Sequence, residues 1–321
     1  MEKEQDLRQL KLQKILPVVF VYAVMILLAV IINCVSTGFL TVDHIYSILK
    51  QAAFLGIVCV GQSLVILTGG IDLSLEYTLL FSNVLAAAII SGQNENTFTA
   101  LAAVIGVAVL IGLLNGCGVY FLKIPAMIMT LSTGTAVYGL AYIYCNGAPG
   151  GFTSDILNQL SNGRFGGIFS GVTIVWIILA AAVIVILRST VLGRSIYAIG
   201  TNRDSADYSG IQVRNVTLIV YIIASVMAAI TGYFLLGYTG TSYMSTGSGY
   251  NMDSIAAVVI GGTSIAGGSG GYVGTIAGVC IMVLINSLLT ILHMPEAVKQ
   301  IVQGLLIAVL LLVVSGRKKE R

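Results

Sequence analysis

Three carboxylates stand beside or inside apolar stretches of this chain, and they are the side chains best placed to do chemistry. Asp72 and Glu76 follow a helix-breaking Thr68-Gly69-Gly70, and Asp253 precedes a glycine-rich run. A charge at the centre of a bilayer costs at least ~2.5–3.5 kcal/mol, so such groups usually line a polar path or pair with another group. Asp72 could instead cap the next helix, where it would accept backbone N–H groups at the positive end of the helix dipole. The sequence leaves both interpretations open, and Thr68, Asp72, Glu76 and Asp253 are candidates for a path or gate.

Two asparagines inside apolar segments, Asn115 and Asn286, join these candidates. A buried amide commonly hydrogen-bonds to a neighbouring helix, which contributes roughly 0.6–2 kcal/mol. The alternative is an amide that faces a polar ligand. We keep both interpretations for the two residues.

No combination of these groups resembles an enzyme active site. The two histidines, His44 and His293, stand alone, and no nucleophile with its base and no pair of catalytic carboxylates can be assembled. The five cysteines show no CxxC metal spacing. The run 260–271 lacks the lysine of a phosphate-binding GxxxxGK[ST] loop and the third glycine of GxGxxG, so tightly turned backbone is the simpler explanation. The sequence predicts no catalysis, no metal and no cofactor.

The most polar segment runs from Arg188 to Arg214 between two long apolar runs. It carries four arginines and two aspartates in a chain that is only 9% charged. Such a segment must lie on one side of a membrane, and its arginines favour the cytoplasmic side. We predict that residues 189–214 form a loop on which another protein acts.

Composition defines the elements that must position these residues. Of the 321 residues, 57% are hydrophobic and only 9% are charged, whereas a soluble domain carries roughly 25% charged residues. The prediction is a single transmembrane domain over residues 1–321, all-α and polytopic. A span needs ~20 apolar residues, which gives about ten helices: 15–35, 44–67, 73–91, 97–121, 125–145, 168–188, 215–238, 252–268, 272–292 and 296–315. Glycines 106, 112, 116 and 118 would form a packing face on the fourth.

Lysine and arginine positions predict the orientation in the lipid bilayer. With both termini cytoplasmic, thirteen basic residues lie inside and Lys50, Arg164 and Lys299 lie outside. Five helices on each side of the middle would make two inverted halves, as in many transporters. The net charge of +3 does not indicate nucleic acid, because no basic patch with interleaved aromatic residues is present.

Three long motifs resemble one known family. They are residues 62–74 (QSLVILTGGIDLS), 192–213 (LGRSIYAIGTNRDSADYSGIQV) and 253–268 (DSIAAVVIGGTSIAGG), with weaker matches at 125–131 (PAMIMTL) and 144–149 (YCNGAP). In this order and over nearly the whole length, they resemble the permease subunits of ribose-type ABC sugar importers, in the branched-chain amino acid and ribose permease superfamily.

The resemblance implies partners and a site. Permeases of this kind work as a homodimer or a pair of related permeases, driven by two cytoplasmic ATPase subunits and supplied by an extracytoplasmic sugar-binding protein. The coupling loop falls on residues 189–214, and the implied docking residues are Gly193, Arg194, Tyr197, Gly200, Asn202, Arg203, Asp204, Ala206 and Gly210. Physically, Ala206, Tyr208 and Ile211 would offer an apolar face to a groove, and Arg203 and Asp204 would set register by charge.

The sequence departs from the family near Glu76, where many relatives carry a small residue, and this leaves the substrate open among pentoses, hexoses and nucleosides. An alternative function is an ion-coupled secondary transporter with Asp72, Glu76 and Asp253 as an intramembrane carboxylate site. A membrane scaffold without transport is a further alternative. Uptake that follows ATP rather than an ion gradient would separate these possibilities.

Overall fold

α-Helices dominate the computed structural model, which describes residues 2–36, 39–295, 297–302 and 304–305, with side chains from residue 16 onward except residue 17. The bounds of the helices are α1 Glu2–Val35, α2 Val42–Leu67, α3 Leu75–Ile90, α4 Thr97–Tyr120, α5 Ala126–Tyr144, α6 Asp155–Asn162, α7 Gly171–Ser189, α8 Val191–Thr201, α9 Arg203–Tyr208, α10 Val213–Thr239, α11 Tyr250–Ile260 and α12 Tyr272–Ile291. A 3₁₀ turn (Asn94–Asn96) precedes α4, and an antiparallel hairpin of β1 (Arg164–Phe165) and β2 (Phe169–Ser170) follows α6.

Seven helices in the described part of the chain are long and apolar enough to cross a membrane: α1, α2, α4 with its 3₁₀ turn, α5, α7, α10 and α12. The apolar helices α3 and α11 are shorter. The all-α polytopic prediction is confirmed in this coarser form, whereas a count of about ten spans is not. The tenth predicted helix, 296–315, lies largely outside the described residues, although residues 297–302 are helical. The inverted halves stay a prediction.

The predicted eighth helix, 252–268, is wrong at its end: α11 stops at Ile260. Gly262 has φ +86° and its N–H donates to Val259 O at 2.9 Å, while the N–H of Thr263 donates to Val258 O at 3.2 Å. This pair of bonds around a left-handed glycine is a Schellman motif, which closes a helix. α2 ends in the same way, since Gly69 has φ +84° and the N–H of Gly70 donates to Val65 O at 3.0 Å.

The interior is built around α2 and α10. In the most apolar stretch of 18 residues of each helix, 78% of the residues are buried in α2 and 61% in α10, whereas only 6% are buried in α1. Glycines bring the backbones together: a Cβ on Gly61 of α2 would lie 2.5 Å from the Cα of Ala224, and one on Gly112 of α4 would lie 2.6 Å from the Cα of Ile222. Close glycine contacts of this kind favour packing of membrane helices.

The predicted glycine face of α4 is confirmed in part. Gly112 and Gly116 pack against α10, and Gly118 packs against Met129 of α5. Gly106 does not belong to that face, because a Cβ on it would meet nothing within 4 Å.

Candidate functional site

The predicted loop 189–214 forms two short helices, α8 and α9, which meet at Asn202; we call residues 189–214 the elbow. The Thr190 side chain caps α8 by accepting the N–H of Gly193 at 3.2 Å, and the Asn202 side chain caps α9 by accepting the N–H of Ser205 at 2.9 Å. Such caps satisfy donors that would otherwise lack partners at a helix start. The elbow is therefore an ordered structure with a defined bend.

The elbow touches the end of α2 and the loop between α11 and α12 at one point, which we call the junction (Leu67, Gly200 and Gly268). The N–H of Gly268 donates to Leu67 O at 3.0 Å, and a Cβ on Gly200 would overlap both of these backbone atoms. Beside them, the Tyr197 hydroxyl donates to Gly270 O at 2.9 Å. The three long sequence motifs thus meet through backbone, and only glycine fits at position 200.

The nine docking candidates divide into two groups. Five are exposed: Arg194, Asn202, Arg203, Asp204 and Gly210. The other four face the rest of the chain, since Gly193 and Ala206 are buried, Gly200 belongs to the junction and Tyr197 lies beside it. The predicted apolar face of Ala206, Tyr208 and Ile211 needs correction. Ala206 is 4% exposed, its carbonyl accepts the N–H of Ile211 at 3.1 Å, and both residues pack on the core of the chain. Of the three, only Tyr208 projects outward, at 92% exposure.

A cavity of about 680 Å³ lies between the elbow and the end of α2. Thr68, Lys123, Arg203 and Asp204 are among its lining residues. The Arg203 guanidinium carbon lies 5.5 Å from the ring centroid of Tyr120, a distance at which a cation is attracted to an aromatic face. The path candidate Thr68 is therefore located beside the elbow rather than beside the carboxylates.

Asp72 and Asn115 are brought together by Ser74. The Oδ1 atom of Asp72 accepts the Ser74 N–H at 2.8 Å and the Ser74 hydroxyl at 2.6 Å, and Asn115 Nδ2 donates to that hydroxyl oxygen at 2.8 Å. All three residues are fully buried. Burial raises the pKa of Asp72 to about 6, although the two Ser74 hydrogen bonds act in the opposite direction.

The predicted capping role of Asp72 holds only in modified form. The N-cap of α3 is Ser74, and Asp72 bonds to Ser74 itself rather than to the first turn of the helix. Within the described residues, Asp72 Oδ2 and Asn115 Oδ1 have no hydrogen-bond partner. The hydrogen bonds among Asp72, Ser74 and Asn115 therefore hold the chain before α3 in place. Two buried oxygens of this cluster, Asp72 Oδ2 and Asn115 Oδ1, can still accept a hydrogen bond.

Glu76 and Asn251 hold the starts of α3 and α11 against each other. The N–H of Glu76 donates to Asn251 Oδ1 at 3.1 Å, the N–H of Asn251 donates to Glu76 Oε2 at 3.4 Å, and Asn251 Nδ2 donates to Leu73 O at 2.8 Å. Each side chain accepts from the first turn of the other helix, where N–H groups lack intrahelical partners. Glu76 is thus part of a reciprocal cap, which explains how a carboxylate is accommodated here.

Asp253 and Asn286 line a different cavity of about 400 Å³, together with His44 and Gln51. Of the other two carboxylates in the alternative hypothesis, Glu76 lines a neighbouring cavity that shares Ser248 with this one, and Asp72 lines neither cavity. Throughout the described residues, no three His, Cys, Asp or Glu side chains are grouped so that they could hold a metal ion. The hypothesis of one shared carboxylate site stays a prediction.

Sequence reasoning missed Ser74 and Asn251, which organise the two polar clusters. A signal for Ser74 was available, because Asp-x-Ser before a helix is a pattern in which the acid binds the backbone two residues on. Asn251 pairs with a residue 175 positions away in the sequence, so no local pattern could indicate it.

Comparison with known proteins gives one family and several relatives. Residues 44–311 match the model of the family described as branched-chain amino acid transport system / permease component. The chain is 36% identical to the ribose import permease protein RbsC of Escherichia coli (strain K12). The 302 matched residues cover 93% of this chain and 92% of that protein. The chain is 35% identical over 299 residues to RbsC of Bacillus subtilis (strain 168), covering 91% and 90%.

A relative named for another sugar is also similar. The galactose/methyl galactoside import permease protein MglC of Escherichia coli (strain K12) is 31% identical over 306 residues, covering 89% of this chain and 90% of that protein. No solved structure matches the chain.

Proposed function

Since the chain belongs to the branched-chain amino acid transport system / permease component family, we propose that it is the transmembrane subunit of an ATP-binding-cassette importer that moves a monosaccharide into the cell. The relatives named for ribose and for galactose support a sugar of this class. We place both termini and the elbow on the cytoplasmic side, because thirteen of sixteen basic residues then lie inside.

The observation that carries this proposal is the construction of the elbow. It presents Arg194, Arg203, Asp204 and Tyr208 outward, and on its other side it touches the end of α2 and the loop after α11 through the junction. A surface for a partner and a close backbone contact with the membrane domain are what a coupling element needs. Closure of the ATPase dimer would move the elbow, and the junction would pass that movement to α2 and α11.

Two further partners complete the proposed importer. An extracytoplasmic sugar-binding protein would deliver the sugar, and a second permease copy, identical or related, would form the path together with this chain. Exposed apolar side chains on α5, among them Met127, Ile128 and Leu131, support contact of this helix with lipid or with the second copy. The permease binds no ATP in this scheme and depends on the separate ATPase for energy.

The test is a double substitution on the exposed part of the elbow, Arg203→Ala with Asp204→Ala. We expect normal membrane insertion and loss of sugar uptake, with ATP hydrolysis no longer stimulated by sugar-loaded binding protein. A matched control removes the same two charge types at the Asp43–Arg164 ion pair, 2.7 Å long and far from the elbow in sequence. That variant should retain the ATPase subunit in co-purification. Unchanged uptake in the elbow variant would contradict the proposal.

A further inference from the structure

A cavity of about 300 Å³ lies between α3, α5 and the segment before α11. Its lining combines one carboxylate, two phenol rings and four hydroxyl side chains: Glu76, Tyr77, Thr135, Tyr138, Ser245, Thr246 and Ser248, with Leu80 and Met244. Ligand pockets of roughly 300–1,000 Å³ usually hold a few placed polar groups among apolar ones. This volume, at the lower end of that range, fits a small and strongly hydrogen-bonding molecule.

The carboxylate is held in place by two helix starts. Glu76 lies in the first turn of α3, and its Oε2 accepts the N–H of Asn251 in the first turn of α11 at 3.4 Å. Both helix starts carry partial positive charge, which favours an anionic side chain. Glu76 is therefore an acceptor whose position in the cavity wall is defined by backbone rather than by flexible neighbours.

The aromatic wall is also fixed by backbone geometry. A Cβ on Gly134 of α5 would lie 2.6 Å from Tyr77 Cδ2 and 3.1 Å from the Cα of Ser74, so only glycine lets α3 and the Tyr77 ring approach α5 this closely. The Tyr77 and Tyr138 ring centroids are 5.7 Å apart at 67°. Edge-to-face pairs at this distance are favourable and keep both rings in place.

We propose that this cavity is a binding site for the sugar during its passage, with Glu76 accepting hydrogen bonds from sugar hydroxyls and the Tyr77 and Tyr138 rings packing on a C–H face. A monosaccharide offers many hydroxyl donors, and an ionised carboxylate is an acceptor with about four lone-pair sites. The serine hydroxyls can donate or accept by rotation, whereas the Thr135 hydroxyl donates to Leu131 O at 2.9 Å and offers its oxygen as an acceptor for a sugar hydroxyl. The inference rests on the proposed importer function and assigns it a substrate-contacting site.

The test uses the full importer in proteoliposomes, with its ATPase and binding protein, and two radiolabelled probes, D-ribose and D-galactose, together with the monodeoxy analogues of each. For the sugar that the wild type imports, Glu76→Gln should lower the uptake rate at least about tenfold, because a neutral amide oxygen is a weaker acceptor than a charged carboxylate. Thr135→Val, which keeps the shape of the side chain, should lower it about fivefold. For one deoxy analogue, Glu76→Gln should have less than a twofold effect, because the hydroxyl that it contacts is absent.

The matched control is Thr231→Val, since the hydroxyls of Thr231 and Thr135 both donate to the carbonyl four residues earlier at 2.9 Å, but Thr231 is buried in α10 away from the cavity. It should import at the wild-type rate. If Glu76→Gln slows the sugar and every analogue equally, its role is only to cap α11, and the inference is overturned. Wild-type uptake in both cavity variants would overturn it as well, whereas a wild type that imports neither these two sugars nor any other monosaccharide supplied would contradict the proposed function itself.

Discussion

Gly200 is the residue at which the proposed coupling mechanism can be tested most directly. It lies in α8, where it meets Leu67 O at the end of α2 and the N–H of Gly268 after α11. Gly200→Ala adds a single methyl group, changes no charge and leaves the helical propensity of α8 unharmed, because alanine is the best helix former. Any effect on transport must therefore come from the contact at the junction.

The size of the effect follows from what the new methyl group would meet. Both obstructing atoms belong to backbone, so no side-chain rotation relieves the overlap, and α8 would have to retreat by about 1.5 Å to reach an ordinary contact. Overpacking of this kind costs typically ~1–3 kcal/mol. The retreat would also lengthen the contacts at the neighbouring Gly267, where a Cβ would already lie 2.9 Å from Gly200 O.

The assay compares purified importers in proteoliposomes by thermal unfolding, ATP hydrolysis and sugar uptake. We expect Gly200→Ala to insert and to retain the ATPase, but to import less sugar for each ATP hydrolysed. The control is Gly106→Ala, a helical glycine whose added Cβ would meet nothing within 4 Å, which should be neutral. If Gly200→Ala matched the wild type in both unfolding temperature and sugar moved per ATP, the idea of a rigid junction would be refuted.

Two further substitutions test the interior. The raised pKa of Asp72, about 6 against an ordinary 3.8, means that the folded protein favours the protonated acid, so stability present at low pH is lost as pH rises through about 6. Asp72→Asn should remove a pH-dependent loss of stability of about 1.4 kcal/mol between pH 5 and 7.5, part of the ~3 kcal/mol that the whole shift is worth, and equal pH slopes of unfolding temperature in the two proteins would contradict this. Tyr272→Phe should cost ~1–3 kcal/mol, because the Tyr272 hydroxyl accepts Trp176 Nε1–H at 2.8 Å and donates to Gly56 O at 2.6 Å. Trp176 is the only tryptophan in the chain, so its emission spectrum would report the change, and an unaltered spectrum with unaltered stability would argue against these bonds.

Helix positions could be predicted from the sequence where apolar runs are long, and less well where glycine ends a helix. The predicted helices 44–67 and 215–238 agree with α2 and α10 to within two residues. The apolar residues of 253–268 favour continued helix up to Gly268, but α11 ends at Ile260 because Gly262 adopts a left-handed conformation there. Hydropathy measures the preference of a segment for lipid and carries no information about backbone handedness, so it could not place that end.

The residues of the candidate site could be proposed from the sequence more readily than the contacts between them. The polarity of residues 189–214 and the carboxylates Asp72 and Glu76 stand out in any apolar chain. Their contacts do not, because Asn251 lies 175 residues from Glu76, and Asn115, itself a candidate, pairs with Ser74 across 41 residues. The burial of Ala206 was also hidden, since a six-residue helix has too few positions to define which of its faces points inward.

The junction gives a physical reason for the glycines in the sequence motifs. A displacement of α8 that passed through flexible side chains would be partly absorbed by rotamer changes before it reached α2. At Gly200, Leu67 and Gly268 the contact is backbone on backbone, and a separate close contact joins the end of α11 to α12, since a Cβ on Gly261 would lie 2.5 Å from the N–H nitrogen of Thr275. Tightly packed interiors transmit strain rather than yield to it. In the proposed mechanism, Gly200 and Gly268 leave no flexible side chain between the elbow, the end of α2 and the loop after α11. An added methyl group would separate these backbones and weaken the coupling between the elbow and α2.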